Sequence, residues 1–113
     1  MSASAALRLW VPVVLWAAVI FAFSAVPDLG TGLGTWDLVL RKLAHATEFA
    51  VLGGLLLRAL RDERAALAAG FAYAASDELH QHFVDGRVGS PVDVLIDTAG
   101  VAIGLVLWRR YGR

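Results

Sequence analysis

The sequence predicts an all-α protein, a bundle of four transmembrane helices with both termini cytoplasmic. Three observations predict it. The chain of 113 residues is 58% hydrophobic and only 18% charged, too apolar for an ordinary soluble domain of that length. Residues 9–27, between Arg8 and Asp28, carry no charge and match the ~20 residues a helix needs to cross a hydrocarbon core roughly 30 Å thick. The polar residues of three further apolar segments fall at the ends that one alternating topology brings together.

Taken in order, the first span covers about 9–27. A cleaved signal peptide is its alternative, with Arg8 as the charged start and Ala22-Phe-Ser24 as a small-residue cleavage site. The apolar run exceeds the usual signal core and carries Trp10, Trp16, Phe21 and Phe23, which favours a permanent span. The stretch 28–36 holds Gly30, Gly32 and Gly34 without apolar periodicity and reads as a surface loop, with Trp36 as an interfacial anchor. The second span, about 38–60, is interrupted by Lys42, His45 and Glu48 in its first half. Arg58, Arg61, Asp62, Glu63 and Arg64 form a charged connection. The third span, about 65–84, ends in the polar run from Ser76 through Asp77, Glu78, His80 and Gln81 to His82. Ser90 suits an N-cap, Pro91 the first helical position and Asp93 a capping-box spacing, opening a fourth span over about 91–108. Hydropathy alone establishes only the first span. The length allows one domain, 1–113, and no internal repeat is visible.

Four spans place Arg8, Arg58, Arg61, Arg64, Arg109, Arg110 and Arg113 on one side and Arg41, Lys42 and Arg87 on the other. The positive-inside rule then sets both termini in the cytoplasm, in a multi-pass protein of the cell membrane. Absence of cysteine excludes disulfides and thiolate metal sites, and zero net charge argues against a nucleic-acid partner.

In this topology the polar ends of the second, third and fourth spans share one extracytoplasmic level. Asp93, Asp97, Gly100 and Gly104 lie on one helical stripe, and Gly100 with Gly104 forms a GxxxG pair that admits a close neighbour. Asp77, His80 and Gln81 share a face of the third span, with Glu78 and His82 about a quarter-turn away. His82, beside the loop, reads as an interfacial residue rather than a ligand. Glu48 could pair with Lys42 or His45. A carboxylate within a membrane helix costs a few kcal/mol, so its default reading is functional, although pairs with Lys42 and Arg87 could instead specify helix packing. If Arg41 extends away to the membrane surface, Glu48, Asp77, Glu78, Asp93 and Asp97 face only Lys42 and Arg87 as fixed cations, an excess of about three negative charges in low dielectric. Protonated carboxyls, charged His45 and His80, or a divalent cation such as Mg²⁺ could each resolve it. No spacing forms a recognised metal motif.

These residues carry a resemblance. Trp16, Ile20-Phe21, Ser24 and Pro27, then Lys42, His45 and Glu48, then Asp77-Glu78-Leu-His80-Gln81-His-Phe83, Arg87, Ser90, Asp93, Gly100 and Gly104 are similar in order and spacing to the signature of the VanZ-like family of small membrane proteins. Phe49 stands where that family usually has tyrosine, Asp85 where proline is common and Asp97 where asparagine is frequent. The resemblance implies a membrane address, a fold and a set of site residues. The family takes its name from a protein associated with teicoplanin resistance, but no reaction can be carried over.

The leading functional expectation is a site that binds or handles an envelope lipid or lipid-linked cell-wall intermediate, with Arg87 and Lys42 on a phosphate and Glu48, Gln81, Asp93 and Asp97 completing the binding set. The alternative is a membrane enzyme acting on a lipid headgroup, with His45, Asp77, Glu78 and His80 as catalytic candidates. Ser76 and Ser90 lack the spacing of a nucleophile motif. A structural or partner-binding protein and a proton-linked transporter are further alternatives.

Overall fold

The computed structural model describes residues 2–24, 35–81, 83 and 91–112. They form four helices: α1 (Ala3–Ser24), α2 (Thr35–Leu60), α3 (Glu63–Gln81) and α4 (Pro91–Tyr111). Three of them, over Ala3–Phe23, Val39–Leu60 and Pro91–Tyr111, are long and apolar enough to cross a membrane. α3 has 19 residues, a length of about 28 Å, but is more polar.

Each helix begins and ends for a local reason. Ser2 caps α1, its Oγ accepting from Ala5 N at 3.1 Å and its carbonyl from Ala6 N at 2.9 Å. α1 therefore starts six residues before the uncharged run and passes through Arg8 and Pro12. Pro12 lacks a backbone donor, a break that membrane helices tolerate. The connection between α2 and α3 is Arg61-Asp62 alone; Arg58 belongs to the last turn of α2, and Glu63 and Arg64 to the first turn of α3. Arg61 takes a left-handed backbone with φ 60°, the usual helix-ending conformation but one that favours glycine. Asp62 Oδ1 then caps α3, accepting from Arg64 N at 2.9 Å and Ala65 N at 3.3 Å. α4 opens on Pro91 and runs to Tyr111, three residues beyond the expected span. The expected loop 28–36 ends earlier, because Thr35 and Trp36 open α2; its residues 28–34, the stretch 85–90 with the Ser90 cap, and the end of the first span at 27 lie outside the described residues.

The helices are arranged around the bundle in the order α1, α2, α4, α3. α2 against α4 is the most extensive contact, and α1 rests on α2 and α3 without reaching α4 among the described residues. Small residues explain the α2–α4 intimacy. A Cβ added to Gly100 would meet the carbonyl of Ala46, one on Gly104 that of Ala50, and one on Gly53 that of Val101. Backbone therefore lies on backbone along this seam. On α3, Gly70 leaves room for the fully buried Val101 side chain. The remaining core is Val13 and Ile20 of α1, Phe49, Leu52, Leu56, Leu57 and Ala59 of α2, Ala66 and Ala74 of α3, and Leu105 of α4.

α1 is fastened by two side-chain donors. Trp16 Nε1 donates to Glu48 O at 2.8 Å and Tyr73 Oη to Ala17 O at 2.5 Å. Hydrogen bonds within membrane helix bundles are worth about 1 kcal/mol each. Trp16→Phe and Tyr73→Phe should each lower unfolding stability in detergent by about 1 kcal/mol, and together by about 2, because they anchor different helices. Equal stability of the double variant and wild type would mean that apolar packing alone holds α1.

Much of the outer surface is apolar. Leu7, Val14, Leu15 and Phe23 of α1, Leu40 and Leu43 of α2, and Leu95, Ile103 and Leu107 of α4 are all exposed. Such a surface fits hydrocarbon surroundings rather than water. At one end Arg109 pairs with Glu63 at 2.7 Å and Arg58 Nη1 donates to Arg8 O at 3.3 Å. The opposite end holds the polar cluster.

Candidate functional site

The antiparallel course of α2, α3 and α4 gathers residues distant in sequence. Lys42, His45 and Glu48 come from the first half of α2, Asp77, Glu78, His80 and Gln81 from the last turns of α3, and Asp93 and Asp97 from the first turns of α4. Asp77, Gln81 and Asp97 are 3–4% exposed, a depth at which unpaired polar groups are costly. Glu48 Oε2, both carboxylate oxygens of Glu78 and Nδ1 of His80 are also sealed from the surface. Glu78, a quarter-turn off the inner face by helical geometry, thus still turns its carboxylate inward.

Contacts among the described residues organise the cluster. Lys42 Nζ donates to Asp93 Oδ1 at 2.5 Å, with the two side chains 34% and 25% exposed. Gln81 Nε2 donates to Asp77 Oδ2 at 3.4 Å, one helical turn apart. His45 Nδ1 stands 3.7 Å from Asp97 Oδ1, beyond hydrogen-bond length. One donor atom from each of His45, Asp77 and Asp97 lies within 4.8 Å of the other two. Lys42 thus takes Asp93 across the α2–α4 seam.

α1 closes one side. The Phe21 ring stacks on His80, with centroids 4.2 Å apart and planes 18° from parallel. Tyr73 lies one turn before Asp77, tilted against Phe49 with centroids 6.0 Å apart. Sequence reasoning passed over Phe21 and Tyr73 as members of this region. The four-residue step from Tyr73 to Asp77 was the available signal for the second; the first stands in the Ile20-Phe21 pair of the family resemblance, which by itself gives it no place in the site. Ser76, considered as a nucleophile, is exposed and donates to Tyr73 O at 2.8 Å. Thr47 and Thr98 likewise donate to carbonyls one turn back, at 2.8 and 2.7 Å. Arg87, His82 and Ser90 lie outside the described residues.

Apolar helices, a hydrocarbon-compatible surface and ionisable groups held inside the bundle fit an integral membrane protein of the all-α class. The chain matches the VanZ/LLP1 family model over residues 7–112, nearly its whole length, and it belongs to that family. No curated protein and no solved structure matches it.

Proposed function

We propose that the chain crosses the cell membrane four times, with both termini cytoplasmic, and that its polar cluster binds the headgroup of an envelope lipid or lipid-linked cell-wall intermediate at the outer leaflet. The observation that carries this reading is the convergence of His45, Asp77, Gln81, Asp93 and Asp97 from three helices at one end of an otherwise apolar bundle. Ionisable groups are expensive there, and ligand binding is the common reason they are kept. Lys42, a third exposed, offers a cation to a phosphate, while the carboxylates and Gln81 suit hydroxyl groups. Arg87, between α3 and α4 in the sequence, is the second proposed phosphate contact. An apolar groove of about 550 Å³ begins at the level of the cluster at Thr47 and runs past Val51 and Gly54 to Trp108 and Tyr111, a course suited to an acyl chain. A link to teicoplanin response belongs to the same reading, because lipid-bearing glycopeptides act at the outer leaflet.

Native mass spectrometry in gentle detergent should show a retained anionic lipid. Arg87→Ala should reduce its retention at least about tenfold, a loss consistent with one charge-assisted contact. A protein that carries no lipid, or an Arg87→Ala variant that carries as much as wild type, would rule this reading out. The same preparations distinguish a packing role. Asp77→Asn, Glu78→Gln and Asp97→Asn each relieve crowding among the carboxylates, so a ligand site predicts unchanged or higher melting temperatures. A cluster that serves only to join the helices predicts marked losses in all three.

A further inference from the structure

We propose that His45, Asp77 and Asp97 form a binding site for a divalent transition-metal cation of the Zn²⁺ type, joining α2, α3 and α4. The inference rests on reading the cluster as a ligand site and names one of its ligands. A mixed set of one imidazole and two carboxylates is the observation that selects the ion. Mg²⁺ favours oxygen donors and retained water, whereas imidazole nitrogen suits the later first-row metals.

The geometry fits. Ligand atoms about 2.1 Å from a zinc ion stand roughly 3–4 Å from one another. The separation of His45 Nδ1 from Asp97 Oδ1, 3.7 Å, falls in that range, and all three donors lie within 4.8 Å. Closing the widest gap takes a shift of under about 1 Å, within reach of side-chain adjustment.

Asp97 supplies independent support. Its side chain is 5% exposed, and Oδ1 is sealed from the surface without a hydrogen bond from any described residue. A buried carboxylate oxygen aimed at an imidazole nitrogen, yet too far for a hydrogen bond, is placed as a metal ligand would be. Outer contacts are also present. Gln81 Nε2 holds Asp77 Oδ2, fixing the carboxylate plane as second ligands around metals commonly do. A divalent cation would also offset two of the negative charges crowded at this end.

The test uses the full chain purified in detergent, stripped with a chelator and titrated with ZnCl₂ against a chromophoric competitor. The expected result is about one equivalent bound, with Asp97→Asn and His45→Gln weakening binding by more than about tenfold and Gln81→Ala by about tenfold. Co²⁺ in place of Zn²⁺ should give visible d–d bands in wild type that change in His45→Gln. Circular dichroism identifies variants that remain helical, and at least one ligand variant must do so for the comparison. A wild-type stoichiometry near zero, equal binding by helical ligand variants, or displacement of Zn²⁺ by equimolar Mg²⁺ would overturn the site. Lipid retention measured on the same stripped and loaded samples separates the two readings. Lipid without metal binding overturns the metal site alone, whereas metal binding without lipid supports the site and removes the headgroup reading.

Discussion

Gly104→Val should destabilise the bundle by about 3 kcal/mol or more, whereas Gly54→Ala, facing Gly104 across the same seam, should raise stability by up to about 1 kcal/mol. The two glycines differ in what surrounds them. A Cβ on Gly104 lands on the carbonyl of Ala50, part of a rigid helical backbone that cannot turn aside. α2 and α4 would have to separate along the seam, losing contacts over several turns. A Cβ on Gly54 meets nothing nearer than 3.7 Å, so the alanine keeps its ordinary helix advantage without a clash. Reversible unfolding in detergent measures both. Losses of equal size would mean that helix propensity, not close approach, determines the response. Separation at Gly104 also moves Asp97, seven residues away on the same face, so the valine variant should lose metal binding along with stability.

Lys42→Met is expected to destabilise by roughly 2–3 kcal/mol, and Lys42→Met combined with Asp93→Leu to recover most of that loss. The 2.5 Å pair is a quarter to a third exposed, so its removal costs less than the 3–5 kcal/mol of a fully buried pair. Methionine replaces the length of lysine but leaves the Asp93 carboxylate without its cation at a membrane-protein interior. Leucine at 93 removes that charge in turn. Unfolding free energies of both single variants and the double one give the coupling directly; additive losses would show that Lys42 and Asp93 act independently despite their contact.

The helices were legible in the sequence because each apolar segment is bounded by charge or turn residues, and because Asp97, Gly100 and Gly104 repeat at helical spacing. What escaped reading depends on how separate helices fit. Lys42 reaches Asp93 on another helix, a pairing that spacing along α2 does not indicate. Gly53 and Ala50 carry no polar signal, and their closeness to α4 follows from a register that sequence spacing does not encode. α1 begins at Ala3, ahead of the uncharged run that Arg8 bounds. A long arginine can extend its charged end away from an apolar helix, and Arg8 remains helical with its carbonyl accepting from Arg58. Phe21 reached the site through the packing of α1 against His80, a contact that its place in the Ile20-Phe21 pair of the family resemblance does not by itself reveal.

The seam between α2 and α4 has a consequence for biogenesis. The two helices in closest contact are not neighbours along the chain: α3 is synthesised between them. While α4 is still within the ribosome, the small-residue face of α2 has nothing to lie against, and Lys42 waits for Asp93. Emergence of α4 closes the seam and delivers two of the cluster's carboxylates in one event, so assembly of the bundle and completion of its polar site are one late step of synthesis.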